Sequence, residues 1–124
     1  MKKNVTYFIQ NENGLILAVS RKDNHNDFGL PGGKVEPEDK SLEDAIAREV
    51  FEETGLTIWP FNLKLLFIQD GKEYTFTGDI FGTIKTDEKH IVKWATSQEL
   101  LDGSFGEYNK KLFEHLKNKY GTKF

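Results

Sequence analysis

Between Ser41 and Gly55 the chain reads SLEDAIAREVFEETG, and no other stretch limits the fold so tightly. Ser41 and Asp44 have capping-box spacing, Glu43 and Asp44 place negative charge in the first turn, and Gly55 supplies a stop, so the segment is predicted to be a helix. At about 3.6 residues per turn, Leu42, Ala45, Ile46 and Val50 share one sector, which must face the protein body. Glu49 and Glu53 fall in that same sector and Glu52 lies at its edge. Partly desolvated, mutually repelling carboxylates are costly unless they are protonated, paired or bound to a cation. Hard oxygen ligands held this closely suit Mg²⁺, with Mn²⁺ as a substitute. The competing reading is a solvated acidic face. Arg48, a helical neighbour of Asp44 and Glu52, explains part of the charge as a surface ion pair but leaves Glu49 and Glu53 unexplained.

Just upstream, Leu30-Pro31-Gly32-Gly33-Lys34 reads as a tight loop whose glycines let backbone approach a ligand closely. Pro-Gly-Gly alone is a turn signal. Placed immediately before an inward-facing acidic helix, it puts the Gly33 carbonyl within reach of a metal or a phosphate chain.

These residues resemble the Nudix box, the signature of the Nudix hydrolase family: Gly-x5-Glu-x7-Arg-Glu-aliphatic-x-Glu-Glu-x-Gly-aliphatic. The second half matches at Arg48, Glu49, Val50, Glu52, Glu53, Gly55 and Leu56. The first half departs from the pattern, with Asp39 where it has Glu and one additional residue before Arg48. Either Asp39 fills the role or Lys40 holds the strict count. An insertion around Lys40 is favoured, since it precedes the Ser41 cap and rotates no glutamate on the helix. The resemblance implies hydrolysis of a nucleoside diphosphate linked to another group, with Mg²⁺ held by Glu49, Glu52 and Glu53 and by the Gly33 carbonyl. Water must then attack phosphorus while the negative charge that repels it is screened. Arg48 is expected to orient Glu52. The general base is expected to be Glu49 or, from the turn TDEKH outside the box, Glu88, for which the alternative is a solvated turn charge.

The remaining chain is compatible with an α/β (α+β) fold, a mixed β-sheet between helices, which is the Nudix architecture. Its 124 residues suit one domain spanning 1–124. Residues 4–10 and 14–20 read as a hairpin about Asn11-Glu12-Asn13-Gly14. Residues 58–69, interrupted at Pro60, and 72–84 read as longer strands, and 91–95 as a short one. Ser97 is expected to cap a brief helix through Leu101, and 109–120 to form a terminal helix. The absence of cysteine excludes disulfides and thiolate catalysis, and the lack of a long apolar run near the N-terminus argues for a cytoplasmic protein without a membrane span. A net charge of −3 argues against a general nucleic-acid binder. Monomer and homodimer both remain open.

The expected partner is a small-molecule nucleotide. Arg21, at the end of the second strand, and Lys34, in the glycine loop, are candidates to bind its phosphates. His25, His90 and His115 have no zinc-ligand spacing. Asn109 resembles the Asn from which small MutT-like Nudix enzymes contact a purine edge, its amide offering donor and acceptor alike; the competing reading is a helix N-cap. Together these features favour a MutT-like enzyme converting a nucleoside triphosphate to monophosphate and pyrophosphate. The alternatives are a Nudix-like nucleotide sensor without catalysis and a pyrophosphohydrolase of RNA 5′ ends.

Overall fold

A computed structural model of the chain describes residues 2–85 and 89–124. Seven strands and three helices are arranged in the order β1 (Asn4–Tyr7), β2 (Ile16–Ser20), β3 (Phe28–Gly29), β4 (Gly32–Lys34), α1 (Leu42–Thr54), β5 (Lys64–Gln69), β6 (Glu73–Thr77), β7 (Val92–Ala95), α2 (Ser97–Asp102) and α3 (Gly106–Tyr120). One sheet has the strand order β4-β1-β6-β5 and is mixed, since β1 runs parallel to β6 and the other pairs are antiparallel. The second sheet, β3-β2-β7, is antiparallel.

Strand β2, ILAVS, is buried at every position. A strand covered on both faces loses the apolar-polar alternation of a half-exposed one, and here successive side chains feed two different cores. Leu17 and Val19 join Val5, Tyr7, Ala45, Ile46 and Val50 in the core under α1. Ile16 and Ala18 join Leu100, Leu112, Phe113 and Leu116 in the core under α2 and α3. Helices therefore lie on both sides of the strand layer, as the mixed sheet between helices requires.

The expected hairpin forms only at its turn. Asn11 Oδ1 accepts from the backbone N–H groups of Asn13 and Leu15, both at 2.9 Å, and Gly14 takes φ +81°. Gln10 bridges to Ile16 and the Leu17 N–H still reaches the Ile9 carbonyl at 3.1 Å, but beyond that the two arms part, β1 entering one sheet and β2 the other. Local turn chemistry thus sets the reversal, and burial on two separate cores sets the partners.

Other expectations shift at their edges. Strand 58–69 begins only at Lys64, because Pro60–Asn62 form a short 3-10 turn. Strand 72–84 is confined to Glu73–Thr77, with Phe81 making an isolated bridge to Thr57. The cap of α2 is Thr96 rather than Ser97, in a reciprocal capping box with Glu99. Helix α3 starts at Gly106, earlier than expected, and Phe105 at its N-cap position offers no side-chain cap. No helix among the described residues is long and apolar enough to cross a membrane.

Candidate active site

Helix α1 forms as its sequence dictates. Ser41 Oγ accepts from the Asp44 N–H at 3.0 Å, Gly55 closes the far end at φ +78°, and Ala45, Ile46 and Val50 are buried. The three box glutamates accordingly divide by rotation about the helix: the Glu49 side chain is 15% exposed and that of Glu52 54%. Glu53 is half-buried.

What lies against the inward edge of α1 is a strand, not the loop expected from Pro31-Gly32-Gly33. Gly32–Lys34 pairs antiparallel with β1, Gly32 opposite Thr6 and Gly33 opposite Val5. A Cβ on Gly32 would come within 2.1 Å of the Val5 carbonyl oxygen, so only glycine permits this approach. The Tyr7 N–H donates to the Pro31 carbonyl at 2.9 Å and the Val35 N–H to the Lys3 carbonyl at 2.9 Å. Antiparallel alternation then makes Val5 and Gly33 the hydrogen-bonded pair between them and turns the Gly32 N–H away from β1. That N–H is taken by Glu53 Oε1 at 2.8 Å. The Gly33 carbonyl, expected as a metal ligand, accordingly commits one lone pair to the ladder and keeps the other. A Cβ on Gly33 would come within 2.6 Å of Glu49 Oε2, so the missing side chain is what admits the Glu49 carboxylate.

Arg48 is the hub of the cluster. Its Nε and Nη2 each donate at 3.0 Å to one oxygen of Asp39, Nη1 donates to Glu49 at 2.9 Å and Glu52 at 2.7 Å, and Nη2 also reaches the Lys34 carbonyl at 3.2 Å. The fork-to-fork pairing with Asp39 answers the question left by the departure in the box: Asp39 holds the arginine, and Lys40 does not enter. Arg48 thus turns to Asp39 rather than Asp44, and orients Glu49 as well as Glu52.

Electrostatics separate the acids further. Burial raises the Glu53 carboxyl to about 8 against the lowering effect of the Gly32 N–H, and the neighbouring Glu49 and Glu52 charges add to the rise. Burial also raises Glu49, with Arg48 opposing it. Asp39 is held below the usual carboxylate range by its hydrogen bonds from Arg48 and then from the Glu36 N–H.

As placed, the three glutamates do not meet at one point. Glu49 and Glu52 turn to Arg48 and Glu53 turns to Gly32, and among the described residues no group of three or more His, Asp or Glu side chains is arranged to hold a metal ion. The chemistry of the donors nevertheless fits a hard divalent cation. They are all oxygen, they share one helix edge, and two of them are driven toward protonation by burial, a condition that a bound cation relieves. Sharing one ion requires Glu49 and Glu52 to rotate off the guanidinium.

A cleft opens in front of Glu53. One part, about 420 Å³, is lined by Arg21, Lys22, Gly32, Glu53, His90 and Phe105. A second, about 250 Å³, is lined by Thr6, Gly33, Glu73, Phe105, Tyr108 and Asn109. Leu30, Gly32 and Phe105 belong to both, so the two adjoin. Arg21 therefore reaches the carboxylate side of the cleft, its guanidinium 6.0 Å from the centre of the Phe105 ring, and Asn109 reaches the far side. Asn109 is not an N-cap: it stands inside α3, 1% exposed, its Nδ2 donating to the Leu100 carbonyl at 3.2 Å. Lys34 is not brought into the cleft, and instead borders a separate concavity with Lys2 and Lys3. Glu88 lies outside the described residues.

Sequence reasoning missed Phe105, Tyr108 and Glu73 as cleft residues, and Asp27, whose Oδ1 accepts from the Ser104 N–H at 2.9 Å and anchors the approach to Phe105. The aromatic pair just before Asn109 was the available signal; for Glu73 and Asp27 nothing in the sequence distinguished them.

Residues 2–116 match the NUDIX domain, and the chain belongs to that family. A MutT-like protein of Streptomyces ambofaciens is 47% identical over 47 residues, which cover 38% of this chain and 29% of that relative's length. The MutT protein of Methanosarcina mazei Go1 is similar in structure, with 30% identity, a TM-score of 0.65 and 94% of each chain covered. A MutT structure from work on Aliivibrio salmonicida and Vibrio cholerae shares the fold at a TM-score of 0.72 and 24% identity, covering 96% of this chain and 98% of its own.

Proposed function

We propose that the protein is a Mg²⁺-dependent pyrophosphohydrolase of MutT type, cleaving a nucleoside triphosphate to monophosphate and pyrophosphate. The observation that carries the reading is the placement of Glu53 between the Gly32 N–H and a cleft, with Glu49 packed against Gly33 and a second cavity of about 250 Å³ alongside that shares Gly32 and Phe105 with the first. Glu49, Glu52 and Glu53, with the Gly33 carbonyl, are the residues that would hold Mg²⁺ or, in its place, Mn²⁺. Such an ion supplies charge neutralisation on the phosphates and an acidified water. The chain's own residues do the rest. Arg21, whose Nε and Nη2 donate to Asp23 at 2.9 and 3.3 Å, would turn its guanidinium to the phosphate oxygens where they enter, Phe105 gives the base or sugar an apolar wall, and Asn109 closes the far end with an amide. Arg48 positions Glu49 and Glu52 through hydrogen bonds. Glu49 is the proposed general base, since burial raises its carboxyl and its oxygens lie against the Gly33 backbone, next to Glu53 on the helix edge. Glu88 is the second candidate.

A product screen tests the reading: Mg²⁺ with nucleoside triphosphates, ordinary and oxidised, ADP-ribose, nucleotide sugars and dinucleoside polyphosphates, resolved by chromatography. Monophosphate plus pyrophosphate from a triphosphate is the expected result, and cleavage confined to ADP-ribose or nucleotide sugars refutes it. The concavity that gathers Lys2, Lys3 and Lys34 favours a second reading, the RNA 5′ end as substrate. Salt-sensitive retention of RNA on filters is expected only in that case.

A further inference from the structure

We infer that the exposed aromatic surface formed by Trp59, Phe61 and Phe81 is a docking site for a second copy of this chain, in a two-fold symmetric dimer. Residues 55–63, GLTIWPFNL, and 80–84, IFGTI, hold no charged residue in a chain of which 30% is charged. The fold brings these two segments together. The Thr57 N–H donates to the Phe81 carbonyl and the Phe81 N–H to the Thr57 carbonyl, both at 2.9 Å. Side chains along such extended backbone alternate between two faces, and here Leu56 and Ile58 are buried while Thr57 and Trp59 are exposed. Leu56 and Ile58 join the core under α1, and Ile80 and Ile84 pack against it, so the inward positions are already apolar. The three aromatics hold outward positions, where a chain without a partner ordinarily carries polar residues.

Trp59, Phe61 and Phe81 are 47%, 78% and 45% exposed. The Trp59 ring centre lies 5.6 Å from that of Phe61 and 5.2 Å from that of Phe81, so the three make one surface rather than scattered rings. An aromatic side chain offers about 150–250 Å², and those fractions leave roughly 350 Å² of ring open to water. Single apolar residues on a surface need no partner, whereas a contiguous patch of several hundred Å² is of the size that interaction sites show. Thr57, Asn62, Gly82 and Thr83, exposed and uncharged in the same two segments, extend it toward the roughly 800 Å² that each partner of a stable dimer buries.

Aromatic and without charge at its centre, the patch has the composition of an interface core. It gives an acidic or basic partner nothing to pair with there, so its complement must be equally apolar. The same patch on a second copy meets that requirement, and two-fold pairing, the commonest assembly of soluble chains, sets each patch on its twin. The net charge of −3 does not oppose the contact, because Lys64, Asp79 and Lys85, which flank the two segments, place both signs around it. None of the three aromatics lines either cavity of the candidate active site, so docking draws no residue from the cleft.

Sedimentation velocity on the unmodified protein from about 1 to about 300 µM tests this, a range suited to an interface of this size. The mass is expected to rise from 14.3 kDa and level off at twice that value. Phe61→Glu, at the most exposed of the three positions, is expected to weaken dimerisation at least about tenfold with the circular-dichroism spectrum unchanged, since it brings a charge into a closed apolar contact. Trp59→Ser, which removes the ring that touches both others and adds no charge, should weaken it by a similar factor. Ile68→Glu adds the same charge at an exposed apolar position toward the other end of β5, and should leave dimerisation within about twofold of the parent. A monomer at every concentration, a dimer that Phe61→Glu and Trp59→Ser leave intact, or equal weakening by Ile68→Glu overturns the inference. So does a monomer whose tryptophan fluorescence is quenched by single-stranded RNA in the parent but not in Trp59→Ser, which would reassign the rings to stacking on bases.

Discussion

The Arg48 guanidinium sets the character of the site atom by atom. Its bidentate pairing with Asp39 is 3.0 Å at both contacts, and Nη1 donates to Glu49 and Glu52. Because Asp39 is ionised in the folded protein at pH values where the unfolded chain has already taken up a proton, its pairing stabilises fully above the ordinary carboxylate range. The stabilisation is lost as pH falls through the lowered folded value. Urea unfolding of Asp39→Asn between about pH 3 and pH 7 is therefore expected to show lower stability near neutrality and a shallower acid limb, with the two proteins converging at the acid end. Parallel curves across that range would contradict the assignment. For Glu53, Glu53→Gln keeps an oxygen to accept from the Gly32 N–H, so the fold should persist by circular dichroism. Loss of one ligand charge is expected to lower turnover at least about 100-fold, a cost of several kcal/mol in transition-state stabilisation. Near-normal turnover would remove Glu53 from the metal site.

Among the elements, α1 was legible because everything that forms it is local: cap, first-turn acids, apolar sector and stop lie within its own sequence. Strand β4 was not, because Pro-Gly-Gly has the composition of a turn and becomes a strand only when β1 accepts it at close range. Likewise the first turn of α3 has no cap signal, so the sequence placed Asn109 at a helix start when it stands within the helix. The two glycines of β4 should separate stability from activity. In Gly32→Ala the added methyl meets backbone that cannot yield, and a loss of at least about 2 kcal/mol in urea unfolding is expected. In Gly33→Ala the atoms it meets most closely are the flexible end of Glu49, so stability should stay within about 1 kcal/mol of the parent. Turnover should nevertheless fall about tenfold or more as the carboxylate is displaced. Equal losses of stability in the two variants would show that the strand, not the Glu49 approach, explains both glycines.

At the scale of the whole molecule, the cleft draws on β1, β4, β6, α1, the end of β2 and α3, segments distant in sequence that meet because two cores hold helices on opposite sides of the strands. That convergence explains why the acidic helix could be read and the cavity beside α3 could not: one is a periodicity, the other a product of packing. It also makes ligand binding a property of the whole fold, since the unfolded chain keeps neither the helix edge nor the cavity. Anything that binds only the folded form stabilises by RT ln(1 + [L]/Kd), about 2.7 kcal/mol at a hundredfold excess over Kd. For a chain of this size the thermal midpoint should rise on the order of 10 °C with Mg²⁺ and a slowly hydrolysed nucleotide together. Mg²⁺ alone should give a smaller rise, and nucleotide in EDTA smaller still, because the phosphates then meet the acidic edge of α1 with no cation to bridge them to it. In Glu53→Gln the nucleotide-alone rise should be retained or enlarged while the increment due to Mg²⁺ shrinks. Increments that simply add in the parent protein, with the variant responding identically, would mean that metal and phosphate bind at separate places, and the link between the acidic helix and the cleft would have to be abandoned.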